Sequence, residues 1–248
     1  MRSIPVGIVL ALIVAAPASA QDGMMTPMDF SAQTQAYTNS VIGGLSVEDT
    51  SRVDRRRSPD RRAPPPRRGP APAARAVASD ARLPFVSTPV SQKRALDDYL
   101  ACVVRTGQAK EAATISAELR ARNPSAELRP EMRKIGLDPD DLADVMAAFL
   151  VTGWEATGNR DATKPEIRAI RRQVAGSLTA NAAFRAPERR VRFAEDLKVM
   201  TYVVAVSAAA AKRDGRSEQF ERGIRNFYLR QTGIDLSKMR ATPAGLMP

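Results

Sequence analysis

Apolar positions recur at helical spacing from about residue 83 to the end of the chain. Leu83-Pro84-Phe85 and Val90 form an extended lead-in, and Ser91 is placed to cap a first helix. Leu96, Leu100, Val103 and Val104 make the stripe of that helix, which stops at Gly107. Ala112, Ile115 and Leu119 mark a second, ending near Asn123. Asn123-Pro124 opens a short third helix with Leu128, Met132 and Ile135, closed by Gly136; proline just inside a start and glycine just past an end is the usual asymmetry.

The fourth helix has the clearest pattern. Leu142, Val145, Met146, Phe149, Leu150, Gly153 and Trp154 lie on one face over more than three turns. Asp138 is its expected N-cap, Pro139 its first residue, and Gly158 its end. Thr163 and Glu166 read as the capping box of a fifth helix carrying Ile167, Ile170, Val174 and Leu178. The sixth runs from Pro187 to Lys212 with Asp214-Gly215 as its stop. One of its stripes is Phe193, Leu197, Met200, Val204, Ala208 and Ala211; Val199, Tyr202 and Val206 lie on the far side. A helix apolar on both sides belongs inside a bundle. The last helix, about 217–231, carries Phe220, Ile224, Phe227 and Tyr228, and Gly233-Ile234 ends it. A tail from Leu236 to Met247 is expected to lie back over the bundle. No strand-period segment of useful length interrupts this pattern. The fold class is therefore all-α, a single compact bundle of six or seven helices over 83–248.

The preceding residues divide differently. Arg2, the apolar run Val6–Ala16 and Ala18-Ser19-Ala20 have the three-part form of a secretory signal peptide, with cleavage after Ala20. Gln21 in place of a cysteine excludes a lipid anchor at the new terminus. Residues 21–45 are polar, and Phe30, Tyr37, Val41 and Ile42 have the spacing of a short docking helix. Residues 46–82 contain Arg55-Arg56-Arg57, Arg61-Arg62, Pro64-Pro65-Pro66 and Arg67-Arg68 with almost no apolar content. Such a stretch cannot bury enough surface to offset its ordering entropy, and it reads as a disordered Arg/Pro-rich linker. The longest later apolar run, Val199 to Ala211, is shorter than the roughly 20 residues a membrane span requires. The expectation is a secreted or periplasmic protein without a transmembrane segment.

Composition then closes several chemistries. The 248 residues include no His and one Cys. Imidazole-based catalysis, an imidazole or multi-thiolate metal site, and an intrachain disulfide are excluded. Neither phosphate-cradling glycine motif is present, so no cofactor is expected. The net charge is +11, with 38 Lys and Arg against 27 Asp and Glu. In an exported protein such charge points to anionic lipid, lipopolysaccharide or acidic glycan, or simply to solubility, and not to nucleic acid. Cys102 reads as a small buried side chain, an intermolecular bridge being the alternative.

The remaining candidates are few. Asp138, Asp140, Asp141 and Asp144 resemble a calcium loop but lack its glycine, and a helix N-terminus explains them better. Asp144 and Glu155 are eleven residues apart, roughly 16 Å along a helix, which is too far for a glycosidase pair. Glu195 falls on the second apolar face of the sixth helix. It is expected to pair with an arginine of a neighbouring helix, Arg168 or Arg172, or else to act as a general acid in a pocket. Trp154 is a core residue or a ligand platform. Arg185, Arg189, Arg190 and Arg192 crowd a helix start against its dipole, and with Arg168, Arg171 and Arg172 they could form a basic binding patch.

Several of these residues together resemble an uncharacterised family, a domain of unknown function found in exported, mostly proteobacterial helical proteins. The resemblance is carried by Leu142-Ala143-Asp144, Trp154-Glu155-Ala156 with Gly158, and Arg172-Gln173-Val174. It continues in Ala194-Glu195, in Gly233-Ile234-Asp235-Leu236 before Gly245, and in the lead-in Phe85 to Val90. It covers 83–248 and implies an exported α-helical domain, with no activity, cofactor or catalytic residue. The leading functional expectation is a non-enzymatic periplasmic interaction module for a protein or an anionic envelope component. The alternatives are a carboxylate-dependent cell-wall glycan hydrolase using Glu195, and a binder of anionic lipid or lipopolysaccharide.

Overall fold

The structure is a computed structural model that describes residues 78–105 and 109–248. The expected signal peptide, the 21–45 segment, most of the expected Arg/Pro linker and Gly107 lie outside the described residues. So do the side chains of Ala112 and Ile115.

Seven α-helices occur in order among the described residues: α1 Pro89–Arg105, α2 Ala109–Arg122, α3 Pro124–Lys134, α4 Leu142–Ala156, α5 Lys164–Ala180, α6 Pro187–Arg213 and α7 Ser217–Thr232. A 3-10 turn, Ala182–Arg185, joins α5 to α6, and a second, Leu236–Lys238, comes after α7. The bundle expected from the apolar periodicity is the observed architecture.

α4 lies at the centre and packs against α5, α6 and α7. Its sequence explains the position: apart from its ends it carries only small and apolar side chains, so it can be enclosed on every side. α6 is the second hub, contacted by α1, α3, α4 and α7. Its Phe193, Leu197 and Met200 join the main core, while Tyr202 packs with Leu96, Leu100 and Leu119 in a smaller cluster. Both apolar sides are thus used, although Val203 and Val206 are only half-buried and Ala205 is exposed. Tyr228 of α7 lies directly on the α4 backbone. Its hydroxyl donates to the Phe149 carbonyl at 2.8 Å, and its ring stands 4.8 Å from that of Phe149. Only a glycine at 153 leaves room for it, because a Cβ there would overlap the ring.

Two helix starts differ from expectation. α1 is capped by Thr88 and not by Ser91. Thr88 and Ser91 exchange side-chain to backbone hydrogen bonds at 2.9 and 3.1 Å, so Pro89 takes the first helical position. The N-cap of α4 is Asp141 and not Asp138. Asp141 is extended and accepts from the Ala143 and Asp144 N–H groups, whereas Asp138 closes the preceding turn by accepting from Asp140 N–H. Asp138-Pro139-Asp140-Asp141 offers three carboxylates, and the one whose residue adopts extended backbone next to the helix takes the role. At α5 the Thr163–Glu166 capping box is present, with Glu166 accepting from Thr163 N–H at 2.8 Å.

The tail does return over the bundle, but as a hairpin. β1, Arg240–Thr242, pairs antiparallel with β2, Gly245–Met247, against α5. Gln173 of α5 holds it. Its side-chain amide donates to the Leu246 carbonyl at 3.1 Å and accepts from Leu246 N–H at 2.9 Å, as a neighbouring strand would. Ordered packing also begins earlier than Leu83: Ser79 N–H donates to the Arg172 carbonyl at 2.9 Å.

Candidate functional site

Glu195 is fully enclosed, and its partner is not the expected arginine of a neighbouring helix. Lys198, one turn further along α6 and equally enclosed, donates to Glu195 Oε1 at 2.9 Å. Ser125, near the start of α3, donates to Oε2 at 2.7 Å. The Phe85 ring covers the ammonium, its centroid 4.7 Å from Lys198 Nζ. Burial pushes the Lys198 amine below its usual range, against the opposing pull of Glu195. Beside this pair Arg129 grips Asp140 through two bonds of 2.7 and 2.6 Å. That fork holds the Asp140 carboxyl below, and the Arg129 guanidinium above, their usual values. The spacing i, i+3 on one helix face was the available sign of a Glu195–Lys198 pair.

A second polar group joins three elements. Arg171 of α5 donates to Asp144 Oδ1 at 2.9 Å and to the Ala81 carbonyl at 2.9 Å. Asp141, with no exposure, also accepts from Leu83 N–H at 2.7 Å. Arg82 bridges to Asp138, and Asp138 N–H donates to Asp144 Oδ2 at 3.0 Å. Burial raises the Asp144 carboxyl above its usual range, against the hydrogen bonds from Asp138 N–H and Arg171. The aspartate group therefore gathers around a helix start and the Ala81–Leu83 backbone laid across it. Among the described residues no cluster of three or more His, Cys, Asp or Glu is placed to hold a metal ion.

The other candidates are dispersed. Trp154 is buried, its indole N–H donates to the Met239 carbonyl at 2.9 Å, and Arg160 stands over the ring at 5.7 Å. Its place is in the core under the tail. Glu155 lies at the far end of α4 from Asp144 and accepts from Ala162 N–H at 2.8 Å; burial raises its carboxyl. Arg171, grouped by sequence with Arg168, Arg172 and the Arg185–Arg192 run, faces inward onto Asp144. Arg168 is exposed on α5, and Arg192 on α6 faces Asp98 of α1 at 3.7 Å. Arg94 of α1 ties the same region by donating to the Arg192 carbonyl and to Asp196. Cys102 is buried, and as the single cysteine it forms no intrachain disulfide. No helix among the described residues is long and apolar enough to cross a membrane.

No curated protein and no solved structure matches the chain. A family model does, and it reaches well beyond the 83–248 span of the resemblance, taking in the N-terminal segments as well. From residue 2 to residue 247 the sequence matches the Family of unknown function (DUF6683), and the chain belongs to that family.

Proposed function

We propose that this protein is an exported interaction module, released by cleavage after Ala20, whose helical domain binds a partner in the periplasm without catalysing a reaction. The observation that carries this reading is the use made of the enclosed carboxylates. Glu195 is closed against Lys198 and Ser125, Asp141 caps α4, Asp144 is held by Arg171, and Glu166 by Arg160 and Thr163. Each serves a helix end or a contact between elements. A glycan hydrolase needs two carboxyls facing a substrate, and the sealed position of Glu195 speaks against it in that role. The Arg-rich 46–77 stretch supports reach towards an anionic envelope surface, since arginine is suited to phosphate and carboxylate.

Export and binding are tested together. The chain, tagged at its C-terminus, is expressed in a Gram-negative host. Intact mass after fractionation is expected to show a polypeptide beginning at Gln21 in the periplasmic fraction. The purified mature chain is then mixed with vesicles containing anionic phospholipid or lipopolysaccharide, and with neutral vesicles, at low and high salt. Salt-sensitive retention on the anionic vesicles alone identifies an envelope surface as the partner. A chain that keeps Met1 in the cytoplasm overturns the reading.

A further inference from the structure

Residues 79–88 cross the outside of the bundle between the Arg/Pro stretch and α1. Their attachments fall into two groups. At the outer end Ser79 N–H donates to the Arg172 carbonyl, Arg171 to the Ala81 carbonyl, and Arg82 bridges to Asp138. Further in, Leu83 N–H donates to Asp141 Oδ2, Leu142 N–H to the Leu83 carbonyl, and Phe85 N–H to the Asp140 carbonyl at 3.0 Å. Pro84 and Asp141 form an isolated antiparallel bridge. Only two large side chains anchor the segment, Leu83 and Phe85, while Pro84 and Val86 face outward, Val86 at 75% exposure. Phe85 is the ring over Lys198.

We propose that residues 79–88 are a strap that opens as a unit, independently of the bundle, and that its opening uncovers the Glu195–Lys198 pair. Segments held by few apolar anchors open below the free energy of global unfolding. The strap has two such anchors, whereas α4 beneath it is buried over almost its whole length. The ion pair gives the opening a chemical consequence. A buried Lys and Glu are poorly stabilised where they stand, and water reaching them through the lifted Phe85 side solvates both charges. A partner that engages the chain upstream of Ser79 draws on the strap's outer end first. The strap thus connects the Arg/Pro stretch to the enclosed Lys198 ammonium in the core.

The test uses the full mature chain and an amine-acylating reagent at neutral pH, with peptide mass spectrometry as the readout. Lys93, Lys134 and Lys238, all well exposed, serve as fast references. Backbone amide exchange is followed in parallel at Leu83, Phe85 and Leu150. Lys198 is expected to acylate with the same opening constant as the Leu83 and Phe85 amides exchange, at least about 100-fold above that of Leu150 and with little denaturant dependence. Arg82→Ala, which removes an outer attachment, and Phe85→Leu, which keeps an apolar anchor but removes the ring, are expected to speed Lys198 acylation by about 5-fold or more while Leu150 is unchanged. The proposal is overturned if Lys198 and Leu150 share one opening constant. It is equally overturned if the strap amides exchange fast while Lys198 stays unlabelled, or if neither variant changes the rate.

Discussion

Lys198 shows how much one side chain can hide in a sequence. Lysine is almost never fully enclosed unless paired, yet on α6 it stands with Glu195 among buried neighbours, Leu197, Val199 and Met200 included. What encloses it is long-range: Phe85 from the strap and Ser125 with Glu195 around the carboxylate. Removing one member of such a pair leaves a bare buried charge. Lys198→Met is expected to lower unfolding free energy by about 3–5 kcal/mol in urea titrations. The double variant Glu195→Met with Lys198→Met is expected to recover most of that, short of about 1 kcal/mol for the Ser125 hydroxyl left without its acceptor. A double variant no better than the single one would mean that the pair is itself a net source of stability. Gly153 is the other residue whose role depends on a distant partner. It lies in the apolar stripe of α4, where glycine ordinarily weakens a helix and alanine would strengthen it. Here Gly153→Ala is expected to destabilise by about 3 kcal/mol, because Tyr228 is fully buried and has nowhere to withdraw. Combining it with Tyr228→Leu should restore part of the loss, which a purely local effect on α4 would not allow.

At the scale of elements, legibility tracked how local the determinants were. The helices were readable because the 3.6-residue period is written in each segment, and the α5 capping box because its two residues are three apart. The starts of α1 and α4 were displaced by three residues for one reason: both segments offer several capping side chains around a proline, and the choice depends on backbone geometry. The hairpin was not readable as strands. Three residues per strand cannot display alternation, and the group that holds it, Gln173, is 73 positions away in sequence. Gln173→Ala is therefore expected to act on one element only. Amide exchange over 240–247 should rise by about 10-fold or more as the two bonds to Leu246 are lost, while the Leu150 amide of α4 is unchanged. A fall in protection across α4 as well would show the hairpin to be integral to the core, since Trp154 also bonds to the tail through Met239.

For the whole molecule the enclosed carboxylates pull stability in opposite directions with pH. Glu166, hydrogen-bonded first by Arg160 and also by Thr163, has its carboxyl held down to about 2. In the unfolded chain it titrates near about 4.3. The unfolded state therefore takes up the proton first, and the stability Glu166 supplies is complete above about pH 5 and is lost as the pH falls towards 2. With the Arg160 side chain 57% exposed, solvent screening leaves this on the order of 1 kcal/mol. Asp144 and Glu155 act the other way, because burial raises both carboxyls. For them the folded state takes up the proton first, so their contribution is favourable below the unfolded value and lost as the pH rises. Acid unfolding is expected to be gentler than the Glu166 interaction alone would make it. In melting curves from pH 7 to pH 2, Glu166→Gln should lower the midpoint at pH 7 by a few degrees, about what 1 kcal/mol gives a domain of this size, and converge on the parent at the acid end. Glu155→Gln keeps an acceptor for Ala162 N–H and removes a buried charge. It should match or exceed the parent at pH 7 and lose its advantage as the acid form of Glu155 takes over. Parallel curves for all three proteins would mean that these carboxylates do not set the acid limb, and Asp140, held down by the Arg129 fork, would have to carry it.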